Sequence, residues 1–175
     1  VGPDFWANRL QDWEVKNGRL ECKIAYPMRT VHVLTKRLGR QNGEFTFSIE
    51  TGLMEHYDSL ATDAASGILV GAGNDLDYRA ASLIHHSYGK KGGVYAGLDL
   101  EGNLFVRDFE QEWAFFKTTQ IELPKTFDNL QLPLHGEFDR QTNLYTLLLE
   151  VYNPNDSILG SLEIDRFPSN RLIGN

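Results

Sequence analysis

The stretch that decides the fold is Leu130-Gln-Leu-Pro-Leu-His-Gly-Glu-Phe138-Asp-Arg-Gln-Thr-Asn-Leu144-Tyr-Thr-Leu-Leu-Leu-Glu-Val-Tyr152. Apolar residues occupy alternate positions up to Phe138, a polar turn follows, and the alternation resumes at Leu144. Alternation with a period of two places one set of side chains on one face of a strand, and Asp, Asn and Thr between two such runs favour a hairpin turn. Two strands of this length need neighbouring strands and a second sheet against their apolar face.

Further strand signals occur along the rest of the chain. Residues 13–15 and 19–24 alternate on either side of Asn17-Gly18, a dipeptide that favours a type I′ turn. Other strand-like runs lie at residues 30–35, 44–52, 67–73, 92–100, 104–108, 117–123 and 160–165. Only residues 77–84 suggest a helix, with Asp77 as its cap. Residues 1–175 are therefore predicted to form one all-β domain, an antiparallel two-sheet jelly-roll sandwich with at most one or two short helical turns.

Composition excludes some classes of partner. The chain has 175 residues, 41% of them hydrophobic and 23% charged, which is ordinary for one globular domain. Its net charge of -7 and the lack of a long basic run disfavour nucleic acid and anionic membrane surfaces, whereas an uncharged sugar is compatible. No apolar run is long enough to predict a membrane-spanning helix. The first residues carry no signal-peptide pattern, as expected of a mature or trimmed chain.

Two groups of residues carry a family resemblance. Residues 13–20 (Trp-Glu-Val-Lys-Asn-Gly-Arg-Leu), 43–47 and 136–151 resemble the concanavalin A-like lectin/glucanase jelly roll, the laminin-G-like group in particular. Residues 67–86, followed by 95–99 and 104–108, are similar to the region that precedes the catalytic domain in some bacterial alkaline phosphatase D-like (PhoD-like) metallophosphoesterases. This resemblance implies an accessory module of an exported bacterial enzyme, periplasmic or extracellular, whose metal-dependent chemistry lies in a catalytic domain further along a longer chain.

No catalytic residue is assigned from the sequence. Glucanases of the fold that the chain resembles use a strand-borne Glu-x-Asp-x-x-Glu motif, whose carboxylates act as nucleophile and acid/base. The nearest match is Glu163-Ile-Asp165-Arg-Phe-Pro168, in which proline replaces the last carboxylate. We therefore expect two exposed carboxylates on a strand, and a jelly-roll glycoside hydrolase or polysaccharide lyase remains only an alternative. The lone Cys22 cannot form an internal disulfide and is interpreted as a small buried hydrophobe.

The best candidates for ligand contact lie in residues 74–95. Sugar binding combines aromatic rings for stacking with polar groups for the hydroxyls. The candidate side chains are Tyr78, Arg79, His85, His86 and Tyr88, with Trp113 as a second candidate. Aromatic residues of a β-sandwich more often belong to its core, and the segment is equally suited to docking against a neighbouring domain. A purely structural interaction domain is therefore a second alternative.

Calcium is the one cofactor that the sequence suggests. Asp75 and Asp77 flank Leu76 after a glycine-rich run and could contribute oxygens to Ca²⁺, which takes six or more of them. A turn aspartate followed by a helix cap explains the same residues. His85 and His86 are adjacent, and neighbouring residues on a helix point about 100° apart, which disfavours a shared metal. The sequence thus favours a non-catalytic accessory module that binds carbohydrate or docks to another domain.

Overall fold

Twelve β-strands make up most of the chain that the computed structural model describes, which comprises residues 2–24, 26, 29–54, 64–73, 91–110, 115–124 and 127–174. The strands are β1 (Phe5–Ala7), β2 (Trp13–Lys16), β3 (Arg19–Cys22), β4 (Val31–Val33), β5 (Phe45–Thr51), β6 (Ala65–Val70), β7 (Val94–Asp99), β8 (Asn103–Asp108), β9 (Phe115–Gln120), β10 (Leu130–Asp139), β11 (Leu144–Tyr152) and β12 (Ile158–Pro168). Two short 3₁₀ turns, Leu10–Asp12 and Ser169–Arg171, complete the regular structure of these ranges. The helix predicted at residues 77–84 lies outside the described residues.

Two four-stranded antiparallel sheets form the sandwich. The first sheet has the order β12-β11-β10-β5, and the second is the meander β6-β7-β8-β9. The chain thus leaves the first sheet after β5, builds the whole second sheet, and returns to pair β10 with β5. The pairs β1–β4 and β2–β3 form two separate two-stranded sheets. The prediction of an all-β, antiparallel two-sheet sandwich is confirmed, while its relation to the concanavalin A-like jelly roll stays a prediction.

The core lies between the two four-stranded sheets and follows the alternation in the sequence. Every second residue is buried from Leu130 to Gly136 in β10 and from Tyr145 to Val151 in β11, whereas the residues between them are partly exposed. The second sheet contributes the alternate residues of β7 and β8 in the same way. Burying one such side chain contributes about 1.5–3 kcal/mol. The inward-facing residues of these four strands include Leu130, Leu132, Leu134, Leu147, Leu149, Val151, Val94, Ala96, Leu104 and Val106.

The opposite face of the second sheet carries an aromatic cluster. Phe105 alternates with the inward-facing Leu104 and Val106, yet only 1% of it is exposed. The Tyr95 ring meets it edge-on, with ring centroids 5.2 Å apart. Gly97 lies beside Phe105 in the β7–β8 register, and a Cβ at this position would be 3.1 Å from the Phe105 ring and 2.7 Å from a backbone oxygen. The glycine therefore leaves room for the aromatic ring over the strand.

A buried ion pair ties the end of the chain to the second sheet. Asp108, at the end of β8, is 4% exposed, and Arg171 donates to both of its carboxylate oxygens, at 2.5 and 3.3 Å. The guanidinium of Arg171 also lies 5.7 Å from the centroid of the Phe116 ring. Beyond it, Gly174 forms an isolated antiparallel bridge with Leu38. The last described residues are thus fixed by the ion pairs of Arg171 with Asp108 and Glu110, by the buried Leu172 and by one bridge, rather than by a full strand.

Removal of one partner of this pair tests its contribution to stability. Arg171→Met is expected to lower the free energy of unfolding by about 3–5 kcal/mol, because the Asp108 carboxylate would stay buried without its counter-charge. Urea unfolding followed by tryptophan fluorescence measures the change. The control is Arg140→Met in the exposed β10–β11 turn, for which we expect a change within about 0.5 kcal/mol. Equal, small effects of both substitutions would contradict the role assigned to Arg171.

Candidate functional site

The ligand and calcium residues predicted from the sequence lie outside the described residues. None of their positions is therefore tested by the structure, and they stay predictions. They are Asp75, Asp77, Tyr78, Arg79, His85, His86, Tyr88 and Trp113. The site described below comes from other residues, on the face of the first sheet that points away from the core.

That outer face presents polar side chains in register across four strands. His135 on β10 is opposite Thr46 on β5 and Leu148 on β11. One row further, Glu150 on β11 is opposite Ser161 on β12. In the next row, Gln131 on β10 lies between Glu50 on β5 and Tyr152 on β11, and Tyr152 is opposite Ile158 on β12. These residues alternate with the buried leucines, so the same period of two that builds the core assembles this face.

Four of these side chains form a connected group, here called the His135 network: Thr46, His135, Glu150 and Tyr152. Thr46 Oγ1 lies 2.9 Å from His135 Nδ1, and His135 Nε2 lies 3.5 Å from Glu150 Oε2. The hydroxyl of Tyr152 lies close enough to the Glu150 carboxylate for that carboxylate to raise the pKa of the tyrosine. A neutral imidazole that accepts from the threonine hydroxyl at Nδ1 carries its proton on Nε2, facing the carboxylate. The network thus links β5, β10 and β11 through their side chains.

The surroundings of Tyr152 keep its hydroxyl protonated. Partial desolvation, together with the hydrogen bond to Glu150 and its negative charge, raises the pKa of Tyr152 above its ordinary value. The tyrosine therefore stays a neutral donor at physiological pH. The Glu150 side chain is 16% exposed and that of His135 is 37% exposed, so both are held in the surface yet remain accessible. The arrangement offers a ligand a fixed acceptor, a hydroxyl group and the edge of an imidazole.

The negative charge of this face disfavours some classes of ligand. Glu50 and Glu163 are exposed on the outer strands, and Glu150 lies between them. Three carboxylates disfavour phosphates and other anions. Uncharged polyhydroxyl compounds are compatible, because their hydroxyls can donate to carboxylates and accept from the amide of Gln131. The chemistry of the face is therefore hydrogen bonding rather than charge neutralisation.

Sequence reasoning missed the His135 network because its members are far apart in the chain. Thr46 and His135 meet only through the pairing of β5 with β10, and Glu150 reaches His135 only through the β10–β11 register. The spacing of Glu150 and Tyr152, two residues apart on one strand, was the one visible signal. It places both side chains on the same face.

The carboxylates of the glucanase-like motif behave as expected from the sequence. Glu163 and Asp165 on β12 are both exposed, and Pro168 ends the strand. Within the described ranges, no group of three His, Cys, Asp or Glu side chains is arranged to hold a metal ion. No helix in that same part of the chain has both the length and the apolar character to cross a membrane.

A second polar cluster is buried near the N-terminus. The Asp12 carboxylate pairs with Arg29 at 2.5 Å, and Trp13 Nε1 donates to the backbone oxygen of Asn8 at 2.9 Å. His32 is 7% exposed, with the Trp6 ring 5.8 Å away, and burial lowers its pKa to about 4. These groups fix the N-terminal strands. They offer little accessible surface to a ligand, so we assign them a structural role.

Cys22 lies close to this cluster. Its thiol is half-buried and donates weakly to the backbone oxygen of Ile24 at 3.5 Å. Burial raises the pKa of the thiol above its ordinary value, although the backbone of Ile24 and the charge of Arg29 act in the opposite direction. A thiol with a raised pKa is a poor nucleophile at neutral pH. Cys22 is therefore assigned a packing role, although it is half-buried rather than buried as the sequence predicted.

Comparison with known proteins gives no match to this chain, whether with family models, curated proteins or solved structures. Its function must therefore be argued from its own residues.

The buried His32 makes stability depend on pH. Its folded-state pKa of about 4 is below the ordinary 6.5, so the unfolded chain takes up a proton first as the pH falls. Stability from this group is complete above pH 6.5 and is lost as the pH falls from 6.5 to 4, in total about 3 kcal/mol. Urea unfolding at several pH values measures the loss.

The matched variant for this measurement is His32→Gln, which keeps a polar side chain but cannot titrate. Carboxylates contribute to acid destabilisation in both proteins, so the difference between the two curves isolates His32. We expect the curves to diverge below pH 6.5. Parallel curves over that interval would show that His32 does not supply the pH dependence.

Proposed function

We propose that the chain is a carbohydrate-binding accessory module of an exported bacterial hydrolase, and that the outer face of its first sheet contacts the sugar. The observation that supports this proposal is the His135 network. It is a set of accessible polar side chains whose orientations are fixed by one another, rather than a collection of independent surface residues. Fixed hydrogen-bonding groups lose less conformational entropy on binding, which favours affinity for hydroxyl-rich ligands.

The chemical composition of the face supports a neutral glycan in particular. Glu150 supplies a charged acceptor, and hydrogen bonds to charged groups are stronger than those between neutral groups. Tyr152, Pro133 and Leu148 add apolar surface between the polar groups, on which the C–H face of a sugar ring can pack. Ile158, which is 53% exposed, continues this apolar surface next to Tyr152. Alternating polar and apolar patches of this kind are complementary to the hydroxyl groups and the C–H face of a pyranose ring.

The segment at residues 74–95 is the competing location for the same function. Its aromatic and basic residues, together with Trp113, were predicted from the sequence to contact a glycan, with Asp75 and Asp77 as possible calcium ligands. The same segment is equally suited to docking against a catalytic domain. In the parent chain that the resemblance implies, this domain would be a PhoD-like phosphoesterase. The experiment must therefore distinguish the two surfaces.

The experiment is affinity electrophoresis of the chain in gels that contain neutral polysaccharides, with and without calcium. We expect retardation by at least one glycan, and we expect Glu150→Gln and Tyr152→Phe each to weaken it by about 10- to 100-fold. Glu150→Gln replaces the charged acceptor with a neutral one, and Tyr152→Phe removes a hydroxyl group. A hydrogen bond to a charged group contributes about 1.5–3 kcal/mol, which corresponds to this change in affinity. Tyr152→Phe keeps the aromatic ring, so its effect reports on the hydroxyl alone.

The matched control is Glu122→Gln, which removes an exposed carboxylate outside the first sheet. It is expected to leave retardation unchanged. Loss of retardation only in Tyr78→Ala or Tyr88→Ala would move the site to residues 74–95, and a calcium requirement would assign Asp75 and Asp77 as ligands. A wild-type chain that is retarded by no glycan would contradict the proposed function and favour the docking role.

A further inference from the structure

The β2–β3 hairpin is a small sheet with an unusual charge arrangement. Its strands pair Val15 with Leu20 on one face, and on the other face Glu14 with Glu21 and Lys16 with Arg19. Both polar pairs therefore place like charges directly opposite each other, which is destabilising within a sheet. A two-stranded hairpin is marginally stable even without such repulsion. The arrangement indicates that the hairpin has neighbours besides itself.

The open edge of this sheet is β2. Among the described residues no strand pairs with β2 other than β3, and Glu14, Val15 and Lys16 are all exposed. Val15, an apolar side chain, is 61% exposed. The opposite edge is less open, because Arg19 on β3 donates to the backbone oxygen of Asp128 at 3.2 Å. An uncovered strand edge is a ready template for pairing with another chain.

The backbone of Val15 has the geometry that such pairing requires. Asn17 and Gly18 have φ angles of 52° and 77°, as in a type I′ turn, which makes Lys16 and Arg19 a hydrogen-bonded pair. Hydrogen-bonded and non-hydrogen-bonded pairs alternate along an antiparallel ladder. Asp12 and Lys23 lie four positions further from the turn, where the alternation again predicts a hydrogen-bonded pair. The Lys23 N–H does donate to the backbone oxygen of Asp12, at 2.8 Å. The N–H and C=O of Val15 therefore point away from β3, onto the open edge.

The charges along this edge are complementary to those of the same strand in a second, antiparallel copy of the chain. If two copies pair through β2 about a two-fold axis at Val15, the two Val15 residues exchange both backbone hydrogen bonds. Residues at equal distances from the axis then lie opposite each other, so Glu14 of each copy is opposite Lys16 of the other. Opposite charges in directly opposed positions stabilise a sheet. A two-fold axis at Val15 therefore satisfies both the backbone hydrogen bonds and the pairing of opposite charges.

The same pairing also relieves the repulsion within each hairpin. In the resulting four-stranded sheet, the acidic pair Glu14 and Glu21 of one copy lies in line with the basic pair Lys16 and Arg19 of the other. On the other face, Leu20 and Val15 of one copy continue into Val15 and Leu20 of the second. Leu20 is 41% exposed and Val15 is 61% exposed, so this row joins apolar side chains that are accessible in the single chain.

We propose that the chain forms a two-fold symmetric dimer through the edges of its β2 strands, centred on Val15. The hairpin belongs to a sheet separate from the glycan-binding face, so this inference is independent of the proposed function.

Charge reversal tests the dimer in the intact chain. Analytical ultracentrifugation over a range of concentrations is expected to show a monomer–dimer equilibrium for the wild type. Lys16→Glu and Glu14→Lys should each weaken association by about tenfold or more, because the two-fold axis duplicates each repulsive contact. An equimolar mixture of the two variants should recover it, since one carries only acidic and the other only basic residues at positions 14 and 16.

Two further variants separate the edge from general charge effects. Val15→Pro removes an N–H that the hairpin does not use and should abolish association while the far-UV circular dichroism spectrum persists. Glu137→Lys reverses an exposed charge on the first sheet and should leave association unchanged. A wild type that is monomeric at all concentrations would overturn the proposal. So would variants that self-associate like the wild type, or a mixture that fails to associate.

Discussion

The burial of one row of side chains between the two four-stranded sheets is the interaction on which the rest of the structure depends. The inward-facing residues of β10 and β11 are almost completely excluded from water, and those of β7 and β8 meet them from the other sheet. Because side chains alternate along a strand, fixing this row inward also fixes every intervening residue outward. His135, Glu150 and Tyr152 share one face because the residues that alternate with them, Leu134, Leu149 and Val151, are buried in the core. A slip of one residue in register would exchange the core with the polar outer face.

The sequence predicted the local parts of this arrangement well. The β10–β11 hairpin follows from alternation on either side of a polar turn, in which Asn143 has a positive φ of 59°. The β2–β3 hairpin follows from Asn17-Gly18. Both signals lie within about ten residues, where turn chemistry and periodicity act directly. The pairing of β5 with β10 has no such local signal, because it joins segments separated by the whole second sheet.

Two residues show where sequence rules were insufficient. Proline is disfavoured in a central strand because it lacks an N–H, yet Pro133 lies in β10 between β5 and β11. Pro133 pairs with Ser48 on β5. The β10–β11 pairing is interrupted at Pro133, where a backbone N–H of β10 would otherwise donate to β11. Phe105 alternates as an outward residue but is buried with Tyr95 and Gly97. The His135 network was missed for a related reason: its members become neighbours only through register.

The pairing of β5 with β10 also has a consequence for the folding kinetics of the chain. Thr51 is opposite Leu130, so this contact closes a loop that contains the entire second sheet. The meanders β6–β9 and β10–β12 need only short loop closures, whereas β5 must find its partner across that long separation, at an entropic cost that precedes any gain. The two meanders can therefore form early, with the first sheet completed in the step that encloses the core. Until β5 pairs with it, one edge of β10 is uncovered, and an uncovered edge is a template for pairing with another chain.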